Sequence, residues 1–380
     1  MQSLDPNVQD KIDEWLNGHY DEQTKATIRK KLDEKKFEEL NDAFYKDMKF
    51  GTGGIRGIMG VGPNRINKYT VGRATQGFSN FLKKNHPNET IKVAIAHDCR
   101  NNSDMLARIA ADVFSANGIR VFLFDGLRPT PELSFAIREL DCQGGVMVTA
   151  SHNPKEYNGY KAYGAYGGQL VSPQDQQVIK EVQGIEDIDE VLFESNDELI
   201  ERIGKEIDER YLDAITSLSI SQEAIRRQSD LSIVFSPIHG TAGVLAPPAL
   251  ERFGFKNVNL VEEQMVFDGN FPTVELPNPE EKEAMTLALN KAKEIDAELV
   301  MATDPDADRV GIAVKNNEGE WVLLNGNQTG TLLIHYLLEV WSNSGKMQGN
   351  EYIVKTIVTT YLLDRIAGAY GVDCYNTLTG

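Results

Sequence analysis

No stretch of this chain is apolar over anything near the ~20 residues that a membrane helix requires, although 41% of its residues are hydrophobic. Met1 to Asp10 is polar and has no apolar centre, so no secretory signal is expected there. Cysteine is scarce. Cys99, Cys142 and Cys374 are an odd number, far apart, and lack the spacing of a zinc site. A disulfide scaffold is therefore excluded, and free buried thiols in a reducing cytoplasm are expected. In that setting the Asn-x-Ser/Thr matches at Asn88, Asn101 and Asn327 are chance. Positive charge is in deficit, with 39 Lys and Arg against 57 Asp and Glu, a net −18. Such a balance disfavours nucleic acid and anionic membranes as partners, while leaving room for a locally basic pocket.

Several motifs are missing where their beginnings are present. Gly51-Thr52-Gly53-Gly54-Ile55-Arg56 starts like a dinucleotide fingerprint, but its third glycine falls on Arg56. No Gly-Lys-Ser/Thr follows, which excludes a P-loop. An EF-hand starting at Asp304 would need Gly where Arg309 stands and Glu where Lys315 stands. No Gly-x-Ser-x-Gly surrounds Ser151, and the side chains of adjacent Ser151 and His152 are expected to diverge, which weighs against a serine hydrolase.

Two stretches remain that carry chemistry. The first runs from Gly145 to Lys161. The apolar Val146 to Val148 predicts a buried strand, and Asn153-Pro154 forces a turn after it. Ser151 is thereby expected just past the carboxyl end of a strand, where open α/β sheets place their ligands. Asn158-Gly159 predicts a second turn, with Lys161 after it. The second stretch is Ala302-Thr303-Asp304-Pro305-Asp306-Ala307-Asp308-Arg309, behind a strand-like Ala297 to Met301. Three carboxylates at alternate positions repel one another unless a cation joins them, and hard oxygen donors suit magnesium, calcium or manganese.

Ser151 in Thr-Ala-Ser-His-Asn-Pro, followed by Asp-Pro-Asp-Ala-Asp-Arg, resembles the α-D-phosphohexomutase family of phosphoglucomutases and phosphomannomutases. Helices over residues 1–48 are most similar to the branch resembling mammalian phosphoglucomutase-2. The resemblance implies consecutive three-layer αβα domains with mixed, mostly parallel sheets. It implies phosphorylation of Ser151 and Mg2+ held by Asp304, Asp306, Asp308 and the Ser151 phosphate. It also implies a sugar 1,6-bisphosphate as activator and intermediate. Arg56, in a loop like the family's Gly-Gly-Ile-Arg-Gly, and Arg309 are expected to bind the phosphosugar, Arg56 also as a catalytic donor beside the transferring group. Lys161 matches the family's lysine and is a candidate for binding and for proton transfer, provided that burial lowers its pKa. His152 is a candidate catalytic group or an orienter of its loop.

In chain order, residues 1–48 predict a helical arm. Residues 49–206 predict a first domain, with strands at Ile91–Ala96, Val121–Phe124 and Val146–Val148 alternating with helices. His97-Asp98-Cys99-Arg100 closes one of those strands, and Asp98 and Arg100 are expected to pair and fix a loop, with shaping of the site floor as the alternative. Residues 184–201 are acidic and expected to be exposed. Residues 207–323 predict a second, metal-binding domain with a helix over 281–294. His239 is expected to serve a turn rather than a ligand. A third domain is expected to begin at 324 and to be incomplete at 380, with the family's sugar loop and fourth, phosphate-binding domain beyond it. Glucose 1-phosphate is the first expected substrate, then mannose and pentose phosphates. A fragment that binds Mg2+ and phosphosugar without turnover is the alternative.

Overall fold

The computed structural model describes residues 3–51 and 53–379, so Met1, Gln2, Thr52 and Gly380 lie outside it. Three helices open the chain: α1 (Pro6–Asn17), α2 (Glu22–Asp33) and α3 (Phe37–Phe44). The Asp5 side chain accepts from the Asn7 amide and Gly18 ends α1, as a cap and a stop should. Their apolar faces enclose Val8, Ile12, Trp15, Ile28, Leu40 and Phe44. Trp15 stacks on Tyr20 at 4.2 Å between centroids and meets Tyr69 edge-on at 5.6 Å. Tyr69 belongs to α4 (Lys68–Asn85), so this cluster fixes the arm on the first αβ unit.

That unit continues through β1 (Gly54–Ile58), β2 (Lys92–His97), α5 (Ser103–Ala116), β3 (Arg120–Phe124), α6 (Thr130–Glu139), β4 (Gly144–Val148), β5 (Tyr157–Gly164), α7 (Gln174–Gln183) and β6 (Ile200–Ile203). The sheet order is β1-β5-β4-β2-β3-β6. β4, β2, β3 and β6 run parallel to one another; β5 is antiparallel to β4, and β1 to β5. Val93, Ile95, Val146 and Val148 face one helical layer, and Ala94, Ala96 and Met147 the other, which explains the unbroken apolar runs.

Several expectations fail here. Asn158-Gly159 is not a turn; it lies inside β5, where Arg56 pairs with Gly159. A Cβ on Gly159 would stand 2.5 Å from the Thr149 carbonyl and 2.8 Å from that of Ile55, so the glycine permits close strand approach. The glycine loop around Arg56 contains β1. The stretch 184–201 buries Ile185 and Val191 and ends on the edge strand β6.

Helices α8 (Lys205–Ser217) and α9 (Gln222–Arg227) lead into a second unit. It comprises β7 (Ile233–Ser236), α10 (Ala242–Phe253), β8 (Val258–Leu260), α11 (Glu262–Met265), α12 (Thr286–Glu294), β9 (Leu299–Thr303), β10 (Val310–Lys315) and β11 (Trp321–Leu324). Its sheet order is β11-β10-β9-β7-β8, parallel at β9-β7-β8 and antiparallel at the hairpin end. The helix expected from 281 begins only at Thr286. A third unit holds α13 (Gly326–Asn343), β12 (Tyr352–Thr356), α14 (Leu362–Ala369) and β13 (Asp373–Thr377), with β12 parallel to β13. No helix among the described residues is long and apolar enough to cross a membrane.

Candidate active site

The first unit supplies Ser151, three residues beyond β4. Its backbone is left-handed, with φ 54°, a conformation uncommon outside glycine. The Ser151 amide donates to Thr149 Oγ1 at 2.8 Å, and that hydroxyl donates to Asp98 Oδ2 at 2.6 Å. The turn aims the Ser151 hydroxyl at the second unit, where it donates to Asp304 Oδ2 at 2.8 Å.

The second unit supplies the aspartates from the loop between β9 and β10. Ala307 takes φ 57° and its amide donates to the Asp304 carbonyl at 3.0 Å, curling the loop so that alternate carboxylates converge. One oxygen from each of Asp304, Asp306 and Asp308 lies within 4.8 Å of the others. Asp304 and Asp306 are fully buried, whereas Asp308 is open to solvent. The loop is held from beneath by Thr241, whose amide and hydroxyl both donate to the Pro305 carbonyl, at 2.9 and 3.0 Å. From across the interface, Thr130 donates its amide to the Asp306 carbonyl at 2.9 Å and its hydroxyl to Asp306 Oδ2 at 3.1 Å.

Electrostatics decide what this cage can hold. Burial, with Asp306 and Asp308 adding repulsion, pushes the Asp304 carboxyl up to about 8. Asp306 goes the other way: burial opposes its charge, but the Lys161 ammonium prevails and holds it below the usual carboxylate range. Lys161 Nζ donates to Asp306 Oδ2 at 2.7 Å and to Asp308 Oδ2 at 3.2 Å. Burial pulls the Lys161 pKa down, yet the two carboxylates outweigh it and raise the pKa above the ordinary lysine value. The lowered pKa expected for proton transfer is therefore not what this arrangement produces. Asp306 Oδ1 is buried without a hydrogen-bond partner. A buried orphan oxygen inside a ring of hard donors fits a small divalent cation. Asp304, Asp306, Asp308 and the Ser151 oxygen would hold it.

His152, Arg56 and Arg309 stand around the serine. Burial, then the positive charges of Arg309 and Arg56, lowers the His152 pKa. Ser151 Oγ and His152 Nδ1 approach to 3.3 Å, so the neighbouring side chains do not diverge as expected; the left-handed turn brings them together. Arg56 is exposed, and its Nη1 donates to Asn153 Oδ1 at 2.9 Å. The Arg309 amide donates to Asp304 Oδ1 at 3.0 Å, and its guanidinium lies 3.7 Å from Glu280 Oε2. His239 is buried in its turn, bonded to the Val266 carbonyl and to Thr273 Oγ1. Nothing in the sequence singles out Thr130, Thr149 or Thr241. Each reaches a partner far along the chain, which leaves no local pattern; only the bond from the Ser151 amide to Thr149 is local.

A serine at the end of a buried strand thus faces an acidic cage carried by the next αβ unit. The chain belongs to the phosphoglucomutase/phosphomannomutase family. Its α/β/α domain I matches residues 47–189, domain II 209–319 and domain III 325–380. A phosphoglucomutase from Staphylococcus haemolyticus is 38% identical over 337 residues, which is 89% of this chain and 60% of that protein. A crystal structure from Thermus thermophilus, provisionally described as a phosphomannomutase, superposes with a TM-score of 0.70 at 25% identity, over 88% of this chain and 70% of that one. Aspergillus fumigatus N-acetylphosphoglucosamine mutase, solved with glucose 1,6-bisphosphate, shares the fold, with a TM-score of 0.52 at 14% identity over 99% of this chain and 66% of that one. The chain spans about 60% of the length of the curated relatives it matches.

Proposed function

We propose that the chain carries the phosphoserine and metal centre of a phosphosugar mutase, moving a phosphoryl group between the 1- and 6-positions of a hexose phosphate. The supporting observation is the 2.8 Å hydrogen bond from the Ser151 hydroxyl to Asp304 in a cage of three carboxylates. In this reading phospho-Ser151 gives its phosphoryl group to the free hydroxyl of a sugar monophosphate. The P–O bond to serine breaks, a new one forms to the sugar, and a 1,6-bisphosphate results. After the sugar turns over, the other phosphoryl group returns to Ser151 and the isomeric monophosphate leaves.

Phosphoryl transfer depends chiefly on position and on stabilising charge on the equatorial oxygens. Mg2+ bound by Asp304, Asp306, Asp308 and the serine oxygen would supply positive charge there. Lys161 offers an ammonium beside the same oxygens. Arg56 and Arg309 add planar donors suited to phosphate, and His152 lies within reach of the serine oxygen. His152, with Nδ1 3.3 Å from the serine oxygen, is a candidate for proton transfer there.

Glucose 1-phosphate is the preferred substrate in this reading, ahead of mannose and pentose phosphates, because the S. haemolyticus relative is a phosphoglucomutase. A second reading is that these residues bind cation and phosphosugar without turnover, resting on the same ring of carboxylates. Free thiols at Cys99, Cys142 and Cys374 suit a cytoplasmic setting. A panel of glucose, mannose and pentose 1-phosphates, each with Mg2+ and a catalytic amount of the matching bisphosphate, tests the assignment. Isomerisation of glucose 1-phosphate ahead of the others is expected; no phosphate exchange with any of them contradicts it.

A further inference from the structure

The left-handed backbone of Ser151 needs something to hold it, and the holding group is a side chain outside the reaction. Arg100 and Asp98 are both fully buried, with Arg100 Nε 3.3 Å from Asp98 Oδ2. The Arg100 fork points into the serine loop. Nη2 donates to the carbonyls of Ser151 at 2.6 Å and Asn153 at 2.5 Å, and Nη1 to those of Pro154 at 2.9 Å and Tyr157 at 3.0 Å. Four inward-facing carbonyls thus meet one planar cation, which a lysine could not reproduce. Asp98 completes the frame: it accepts from the Arg100 amide at 3.0 Å, from Ser103 Oγ at 2.7 Å and from Thr149 Oγ1, the acceptor for the Ser151 amide.

The same arginine faces the second unit. The Phe271 ring, buried, lies 5.1 Å from the Arg100 guanidinium carbon. Beside it, Gly269 rests on the backbone of residues 99–101, so closely that a Cβ would meet the Asn101 nitrogen at 2.3 Å. Asn101 Nδ2 donates to Asn270 Oδ1 at 3.0 Å. A loop of the cage-bearing unit therefore seats on the residue that shapes the serine turn.

We propose that Arg100, with Asp98 and Thr149, is a positioning residue: it sets the Ser151 turn and, through Phe271, registers the serine against the aspartate cage. Arg100 bonds to backbone carbonyls of the loop and not to the serine oxygen, so its effect passes through that backbone. This rests on the mutase reading, and the test separates the two. Phosphoryl uptake by Ser151 from glucose 1,6-bisphosphate is followed by intact mass in single turnovers, with Mn2+ binding measured in parallel. R100K and T149V are expected to slow uptake roughly 10- to 100-fold, the effect of a small misplacement, with half-saturating bisphosphate and Mn2+ affinity unchanged. T149S, which keeps the hydroxyl, is expected near the native rate, and guanidinium is expected to restore part of the rate to R100A.

Native-rate uptake by folded R100K and T149V overturns the proposal. So does a loss of Mn2+ binding that parallels the loss of rate. Should the Arg100 variants not fold, the near-isosteric T149V decides alone. If the native chain takes up no phosphate, the mutase reading fails instead. Amide exchange at Ser151 then decides: faster in T149V than in the native chain sustains the proposal, and equal rates refute it.

Discussion

Lys161 stands in the cage as the counter-ion of Asp306 and Asp308. Removing one partner of a buried ion pair leaves the other uncompensated, at a cost of about 3–5 kcal/mol. K161M is therefore expected to be destabilised by that amount in chelator, as read by urea unfolding, and Mn2+ is expected to recover part of the loss. Equal stability with and without chelator would show that the carboxylates do not share their charge with a cation. Glu132 offers a second titration, set by a different group of charges. Its carboxyl is buried on α6, facing Arg128, Asp125, Asp208 and Tyr211. Burial, then the Asp208 carboxyl, pushes it up to about 9, against Arg128. The folded chain keeps this proton where the unfolded chain, titrating near the ordinary value of 4.5, has lost it. Its contribution is present in full below that value and is lost as pH rises towards 9, at up to about 1.4 kcal/mol per pH unit. Asp208, whose pKa is lowered, acts in the opposite sense, at acid pH. E132Q should flatten the decline between pH 4.5 and about 9 measured by urea unfolding; an unchanged slope would count against a protonated Glu132.

Among the elements, β5 carries the most consequence for the site. Its Gly159 lies against the Thr149 and Ile55 carbonyls, so G159A forces β1 and β5 away from the serine strand. Overpacking of this kind costs about 1–3 kcal/mol. G159A should lower the thermal midpoint and slow phosphate uptake together; an unperturbed midpoint would mean that the strands part freely. The same element marks where the sequence stopped being legible. Asn-Gly is a strong turn signal, and only the pairing with β1, about a hundred residues earlier, makes it mid-strand. Glycine-rich β1 was hidden for the same reason. By contrast, apolar runs such as Val146–Val148 announced buried strands without help, and so did the placement of Ser151 just beyond one. The alternation of carboxylates at 304, 306 and 308 was visible locally. That Thr130 grips Asp306, or that Arg100 clasps the serine loop, was not, because no local periodicity encodes a contact between distant segments.

At the scale of the whole molecule, neither the first nor the second αβ unit holds the site alone. The serine belongs to one and the cage to the next. Their registration rests on Ser151–Asp304, Lys161–Asp306, Thr130–Asp306 and Asn101–Asn270. We propose that this meeting of a hydroxyl with three carboxylates is a phosphoryl-transfer centre. The most direct measurement is the intact mass of the chain, with fragmentation to locate any added group, after incubation with glucose 1,6-bisphosphate and Mg2+. One added phosphate is expected, on Ser151, absent from S151A and strongly reduced in D306N. No added phosphate, or a phosphate on another residue with Ser151 unmodified, would contradict it.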